Sequence, residues 1–180
     1  MPRPPREFAP GELYHVYSRG SNRSEIFRFD SDREDFLGCL ERVVVRHKLT
    51  CIAYCLMPNH FHLVVETRDG LLSPAIKALN GRYSLRFNRR YDRDAHLFKN
   101  RFGAVLQTSD SQLRWTLRYA IRNPVNAGLC TEPGEWPWSS YRASVGEVRP
   151  PRFLAVSRLL EYFGDTTEVA MSRFREFVDW

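Results

Sequence analysis

The sequence has few cysteines and no long apolar run. Its four cysteines form no Cys-x2-Cys pair, so we expect buried, reduced thiols rather than a disulfide framework or a zinc finger. The longest uninterrupted apolar run, Cys51–Pro58, is far too short to cross a bilayer. The first residues contain no apolar stretch and do not resemble a signal peptide. We therefore expect a cytoplasmic protein without a membrane partner.

Positive charge is concentrated in one segment of the chain. The net charge is +6, and residues 77–101 account for all of it, because the remaining basic and acidic residues cancel. Aromatic residues lie between these charges, a pattern that can hold a phosphate backbone and stack bases. The alternative is a solvated helix face whose aromatics serve the core. The predicted DNA-binding residues in this segment are Arg82, Arg86, Arg89, Arg90 and Arg93.

A second pair of arginines flanks a glycine early in the chain. Arg19 and Arg23 surround Gly20 in a predicted loop that follows the first strand. We include both in the predicted DNA-binding set, because they could meet phosphates. They could equally be solvated, and the sequence does not decide between the two.

Two histidines begin a predicted strand. Pro58-Asn59 is typical of a turn, and residues 60–66 are rich in β-branched and large apolar side chains. Because side chains alternate along a strand, His60 and His62 share one face, while Phe61 and Leu63 point to the other. Two adjacent imidazoles suit two ligands of one metal ion. The alternative is a pair of partly exposed histidines on the polar face of an edge strand.

A later helix carries a tyrosine on its polar side. Ser109-x-x-Gln112 predicts a capping box, and Pro124 predicts the helix end. At 100° per residue, Tyr119 points roughly 200° away from the apolar stripe and shares its face with Asn123. A tyrosine in that position is either a surface aromatic or a side chain delivered to a site. The predicted buried stripe consists of Leu113, Leu117 and Ile121.

The order of predicted elements is strand, helix, strand, strand, helix, strand, helix. This order fits an α+β fold with a ferredoxin-like or RRM-like antiparallel sheet and helices packed on one face, over residues 12–145. Residues 150–180 predict a small C-terminal helical tail of two amphipathic helices. We expect the first helix to begin at a Ser31-x-x-Glu34 capping box and the second at Ser73, which precedes a proline.

Four motifs follow one another along the chain. They are Tyr14-His15-Val16 with Arg19-Gly20, the stretch 57–64 (Met-Pro-Asn-His-Phe-His-Leu-Val), the stretch 119–129 (Tyr-Ala-Ile-Arg-Asn-Pro-Val-Asn-Ala-Gly-Leu), and Trp138-Ser139-Ser140-Tyr141. In this order and at these separations they resemble the single-tyrosine HUH transposases. Within that family they look most like the REP-associated tyrosine transposase branch. The resemblance covers roughly residues 12–145.

The resemblance implies an enzyme that cuts and rejoins single-stranded DNA beside hairpin repeats through a 5′-phosphotyrosine intermediate. It implies Tyr119 as the nucleophile and His60 and His62 as ligands of a divalent metal. Asn123 stands where many relatives have Gln, and it would be a shorter oxygen ligand. Two imidazoles and an amide oxygen, together with phosphate oxygens, suit Mg²⁺ or Mn²⁺. His15 could reach the same sheet face as a neighbour of this set.

The implied partner is single-stranded or hairpin DNA, and the implied state is a monomer or a homodimer. Two rival interpretations remain open. One is a module of the same fold that binds hairpin DNA or RNA without cleaving it. The other is a metal-dependent phosphodiesterase that activates water, against which the lack of a catalytic carboxylate pair argues.

Overall fold

A four-stranded antiparallel sheet forms the centre of the protein. The computed structural model describes residues 7–180. The N-terminal residues on which we based the prediction that there is no signal peptide lie mostly outside the described residues. The strands pair in the order β2-β3-β1-β4, and each pair is antiparallel. The predicted α+β class with an antiparallel sheet is confirmed. The strands are β1 (Glu12–Arg19), β2 (Leu49–Met57), β3 (His60–Thr67) and β4 (Gly103–Leu106).

Six α-helices surround this sheet in the described part of the chain. The three long ones of the body are α1 (Asp30–Arg46), α2 (Leu72–Arg90) and α3 (Asp110–Asn126). The shorter helices near the C-terminus are α4 (Tyr141–Ser144), α5 (Val156–Leu160) and α6 (Thr167–Asp179). None of the described helices is long and apolar enough to cross a membrane. All four cysteines are free, and Cys130 is only partly buried, unlike the other three.

The helices lie on both faces of the sheet. Phe61 and Leu63 of β3 enter a core with α1 and α2, as the prediction of helices on one face requires. Val64 points the other way and packs in a second core with α3 and the tail helices. The predicted single helical layer is therefore incomplete, because α3 covers the opposite face. This face is the one that carries His60 and His62, since both are an even number of residues from Val64.

Three predicted helix boundaries differ from the structure. The α1 helix begins at Asp30, because Asp32 accepts hydrogen bonds from the backbone N–H groups of Arg28 and Phe29, at 2.9 and 3.1 Å, in place of the Ser31 capping box. The α2 helix begins at Leu72 with its N-cap at Leu71, two residues before the predicted N-cap, Ser73. Pro124 does not end α3, which continues to Asn126. A proline in the last turn removes one backbone hydrogen bond near a helix end.

Within the residues that the structure describes, one edge strand of the sheet is covered by another segment of the chain, and the other edge strand is not. An aromatic segment covers β2, where the Leu56 N–H donates to the Trp138 carbonyl at 2.8 Å and the Ser140 N–H donates to the Tyr54 carbonyl at 2.9 Å. The opposite edge strand, β4, is only four residues long and has no further strand beside it among residues 7–180. Its Val105 side chain is 43% exposed. The β4 side of the sheet therefore stays accessible.

The tail packs against α3. The stripe of Leu113, Leu117 and Ile121 is buried, as predicted, and lies in one core with Phe174 and Val178 of α6. Two arginines of α3 also hold the end of α6. The Arg118 Nε–H donates to the Phe177 carbonyl, and the Arg122 guanidinium donates to the Val178 carbonyl, each at 2.9 Å. The division into residues 12–145 and 150–180 stays a prediction, but the tail shares its core with α3.

Candidate active site

His60 and His62 project from the start of β3 toward the face covered by α3. Their ring centroids are 5.0 Å apart, and the rings are nearly perpendicular, at 89°. His62 is buried, with 5% of its surface exposed, and His60 is partly buried. The strand alternation predicted from the sequence thus places the two imidazoles side by side.

Asn59 fixes the protonation of the His60 ring. The Asn59 side-chain N–H donates to the Arg23 carbonyl at 3.2 Å, which leaves Asn59 Oδ1 as an acceptor. That oxygen lies 2.6 Å from His60 Nδ1, so Nδ1 carries the proton. In neutral imidazole the other nitrogen, Nε2, then keeps its lone pair.

The lone pair of His60 Nε2 faces another hydrogen-bond acceptor, the side-chain oxygen of Asn123. Asn123 Oδ1 of α3 lies 3.3 Å away. Two acceptors at this distance cannot bond to one another, but both can bind the same cation. Burial and the charge of Arg19 lower the pKa of His60, while the Asn123 contact raises it. The net lowering favours the neutral ring that a metal ion requires.

His62 has one engaged and one free ring nitrogen. Its Nδ1 lies 2.9 Å from Nε2 of His15 on β1. Its Nε2 is buried and has no hydrogen-bond partner among the described residues. Buried polar atoms are rarely left unpaired, so an unpaired one needs an explanation. Burial, reinforced by His15, His60 and Arg19, holds the pKa of His62 well below its usual value, so the ring is neutral near pH 7.

His15 is the functional candidate that the sequence placed only as a neighbour. It is 9% exposed, and burial lowers its pKa to about 4. A neutral His15 can accept a hydrogen bond at Nε2 from the Nδ1–H of His62, which leaves His62 Nε2 with a free lone pair. Metal-binding histidines commonly have such a partner on their other nitrogen. Its place in the Tyr14-His15-Val16 motif on the first strand was the signal in the sequence.

Tyr119 lies next to these imidazoles. Its ring is 52% exposed and stands edge-on to His62, with centroids 5.5 Å apart and an angle of 79°. The His15 ring is 6.2 Å away. The helix phase predicted from the sequence accounts for this position, since Tyr119 and Asn123 both point away from the buried stripe of α3. One chain therefore brings together Tyr119, Asn123 and the two histidines of β3.

The donor set fits a divalent cation. Among residues 7–180, no group of three or more His, Cys, Asp or Glu side chains could hold a metal ion. The candidate ligands are two imidazole nitrogens and one amide oxygen. The unpaired Nε2 of His62 and the facing acceptors of His60 and Asn123 are the features that a cation would satisfy. Such a set leaves coordination positions for phosphate oxygens.

Arg19 and Arg23 lie at this site. Arg19 is exposed at the end of β1, directly opposite His60 in the strand register. Its charge contributes to the lowered pKa of both His60 and His62. Arg23 lies in a short 3₁₀ turn and reaches the site through its carbonyl, which accepts from Asn59. A phosphate-binding role for Arg19 and Arg23 stays a prediction.

The arginines of the 77–101 segment lie elsewhere. The α2 helix packs, together with α1, on the sheet face opposite the histidines. Arg86 forms an ion pair with Asp35 of α1 at 2.8 Å, and Arg90 pairs with both Asp32 and Asp35. Arg86 and Arg90 therefore support the α1–α2 packing. A DNA-binding role stays a prediction for all five arginines, Arg82, Arg86, Arg89, Arg90 and Arg93.

Comparison with known proteins identifies the family of this chain and supports its fold. The sequence pattern of the family described as Transposase IS200 like matches residues 11–123. The chain belongs to this transposase family. A Haemophilus influenzae protein that carries the name of a REP-associated tyrosine transposase is 25% identical over 157 residues, covering 81% of this chain and 89% of that protein.

A solved structure shows the same fold. It is a REP-associated tyrosine transposase bound to a REP hairpin, with a TM-score of 0.68 and 17% sequence identity. The match covers 86% of this chain and 92% of the solved chain, so it includes part of the tail as well as the sheet.

Proposed function

We propose that this transposase cleaves and rejoins single-stranded DNA next to hairpin repeats, with Tyr119 as the nucleophile. The observation that carries this proposal is the position of Tyr119, whose ring lies 5.5 Å from the ring of His62. It stands beside the unpaired His62 Nε2 and the facing acceptors of His60 and Asn123. A nucleophile and a metal-ligand set therefore meet on one face of the sheet.

The ligand set would hold Mg²⁺ or Mn²⁺ through His60, His62 and Asn123. When bound, the cation would polarise the scissile phosphate. The neighbouring residues would fix the orientation of the ligands. His15 contacts Nδ1 of His62 and Asn59 contacts Nδ1 of His60, so the Nε2 lone pairs of both histidines are oriented before a metal ion binds. Arg19, exposed beside His60, would attract the phosphate backbone to the site.

Tyr119 would carry out the covalent step. Its phenolic oxygen forms a bond to phosphorus as the bond from phosphorus to O3′ breaks. The phenol loses its proton, and O3′ gains one, so the products are a 5′-phosphotyrosine and a free 3′-hydroxyl. The phosphodiester energy is kept in the tyrosine linkage, which a 3′-hydroxyl can attack to rejoin the strand. No activated water is needed.

The proposed partner is hairpin DNA with a single-stranded flank. This follows the solved relative, which is bound to a REP hairpin. All candidate ligands and Tyr119 belong to one chain, which favours a monomer as the active unit. We propose that the protein acts in the cytoplasm, where its DNA substrate lies.

The test compares wild-type protein with Tyr119→Phe, which removes one exposed oxygen and little packing. Labelled hairpin oligonucleotides with single-stranded flanks are incubated with Mn²⁺ or Mg²⁺ and run on a denaturing gel. Wild-type protein should give an adduct that survives denaturant and disappears after protease treatment. Tyr119→Phe should bind the same oligonucleotide and give no adduct. Tyr162→Phe, which removes a phenol oxygen in the tail, is the matched control and should behave as wild type.

Other outcomes would change the assignment. Binding without an adduct in either metal would favour the non-catalytic hairpin-binding module. Undiminished cleavage by Tyr119→Phe would move the nucleophile to Tyr17 or to water. Tyr83 is not a candidate, because its buried hydroxyl donates to the Ile26 carbonyl on the other side of the sheet.

A further inference from the structure

A third aromatic side chain lies on the face of the candidate site. Tyr17 of β1 pairs in register with His62 of β3 on one side and with Gly103 of β4 on the other. The centroid of its ring is 6.4 Å from that of His62 and 5.5 Å from that of His15, and the angles between the ring planes are 44° and 43°, respectively. The side chain is 41% exposed. The proposed reaction gives Tyr17 no role.

The Tyr17 ring rests face-on upon Gly103. A Cβ atom at Gly103 would overlap three consecutive ring atoms, Cζ and its two Cε neighbours, and would be almost equally close to all three. Such a point lies over the face of a ring, because a point in the ring plane and outside the ring would be clearly closer to Cζ. One face of the ring therefore covers the backbone of β4. The lack of a side chain at Gly103 makes this arrangement possible.

Because one ring face lies on Gly103, the 41% exposure of Tyr17 belongs to the other face and the ring edges. The ring contacts of Tyr17 within the described residues are the tilted ones to His15 and His62, and no ring lies parallel upon it. The neighbouring edge strand exposes Val105 on the same side of the sheet. Arg19 follows two residues later on the same face of β1 and is exposed. An open aromatic face next to a cation is the arrangement by which proteins hold unpaired bases and their phosphates.

We propose that Tyr17 is a stacking platform for an unpaired nucleobase next to the scissile phosphate, and that Gly103 holds its ring flat on the sheet. The inference rests on the proposed function, since it assumes that single-stranded DNA enters this face. It assigns the β1–β4 half of the face to the flanking strand, while Tyr119 and the imidazoles of His60 and His62 occupy the β3–α3 half. Stacking is sequence-tolerant, because every base has a π-face, so Tyr17 would position the strand rather than select its sequence.

The test measures binding in the non-cleaving Tyr119→Phe background with Mn²⁺ present. Hairpin oligonucleotides carry 2-aminopurine at successive single-stranded positions, and both its fluorescence and the dissociation constant are recorded. Adding Tyr17→Leu should weaken binding of the flanked hairpin by about tenfold, the scale of one stacked base, and remove the quenching at one flank position. Tyr17→Phe should keep both, because stacking needs the ring and not the hydroxyl. Binding of a hairpin without flanks should stay unchanged in both variants.

A pair of glycine variants tests the geometry independently. Gly103→Ala should lift the ring from β4 and reproduce the Tyr17→Leu effect. Gly38→Ala, at a position in α1 where a Cβ would meet nothing within 4 Å, should match the background protein. Thermal unfolding of each variant identifies any loss of fold, and Tyr17→Phe keeps the test valid if Gly103→Ala fails to fold.

The results separate the two proposals. One outcome is that the Tyr119→Phe background protein and its Tyr17→Leu variant bind the flanked hairpin equally well and with equal quenching. In that case the proposal that Tyr17 stacks a base is wrong, and the proposed function stands. If Tyr17→Phe weakens binding as much as Tyr17→Leu, the hydroxyl is the contact and stacking is overturned. If the background protein binds no hairpin, the proposed function fails and the platform fails with it.

Discussion

His15 Nε2 lies 2.9 Å from His62 Nδ1, so a histidine of β1 holds the ring of a histidine of β3. The two residues are not aligned in the strand register, where His62 faces Tyr17, and the contact is diagonal. Diagonal neighbours on adjacent strands remain within reach of long or aromatic side chains. The link makes the orientation of His62 depend on a residue that is not itself a candidate ligand.

Replacing His15 should weaken metal binding. In His15→Phe the His62 ring loses the partner of Nδ1, and loss of such a partner typically lowers metal affinity by about 10–100-fold. Mn²⁺ titration followed by electron paramagnetic resonance measures this without DNA or turnover. His15→Gln, whose side chain can still accept a hydrogen bond, should recover part of the affinity. His47→Phe, at the distant end of α1, should bind Mn²⁺ as wild type does, and equal affinity in His15→Phe would disprove the link.

The same histidine should make the metal-free protein acid-sensitive. Burial lowers the pKa of His15 from 6.5 to about 4. Between pH 6.5 and pH 4, His15 is therefore protonated in the unfolded chain but stays neutral in the folded protein. The free energy of unfolding consequently falls as the pH falls. The loss from His15 should approach about 3 kcal/mol near pH 4, at 1.36 kcal/mol per pKa unit.

Urea unfolding with a chelator present, from pH 7.5 to pH 4, measures this dependence. Carboxylates also titrate in this range, so the comparison with His15→Phe is the informative one. The wild-type protein should lose more stability than the variant between pH 6.5 and pH 4. Parallel curves for the two proteins would show that His15 does not carry the effect.

Arg86 and Arg90 should contribute to stability more than to DNA binding. Arg90 pairs with Asp32, whose side chain is fully buried. Burial alone would raise the pKa of Asp32, but hydrogen bonds from Tyr91, the Arg28 and Phe29 backbone and Arg90 together lower it, which means that the carboxylate is charged. Arg90→Gln should lower the free energy of unfolding by about 1–2 kcal/mol, because it leaves that buried charge with fewer partners.

Salt dependence distinguishes this role from phosphate binding. The slope of the hairpin affinity against salt concentration should be unchanged in Arg86→Gln/Arg90→Gln. It should decrease in Arg19→Gln, because each lost phosphate contact reduces counterion release. A reduced slope in the double variant would return these two arginines to the DNA-binding surface.

Two pairs of residues in the candidate site could be predicted because each pair lies within one strand or helix. The alternation of β3 places His60 beside His62, and the turn of α3 places Tyr119 beside Asn123. Each of these facts depends on one element. The capping of α3 was equally local, since Ser109 Oγ accepts from the Gln112 N–H at 3.2 Å, as expected.

The relations that the sequence did not supply join distant segments. Periodicity shows which side of a helix is buried, but it does not show which face of a sheet will cover that side. The sequence therefore predicted α2 and α3 on the same face of the sheet, whereas the structure has them on opposite faces. Arg90 and Asp32 are 58 residues apart, and nothing local indicates their pairing. The same holds for Tyr17 and Gly103, which become neighbours only because β4 returns to the edge of the sheet beside β1.

The attachment of α6 to α3 has a consequence for genetic screens. Arg118 and Arg122 stand on either side of Tyr119 and are tied to the carbonyls of Phe177 and Val178. A substitution that loosens α6, such as Phe174→Ser, would let the tyrosine-bearing helix shift without touching any imidazole. Selection for inactive alleles should therefore return tail positions alongside the histidines. Such alleles would differ from histidine alleles in that raising the temperature makes their defect worse.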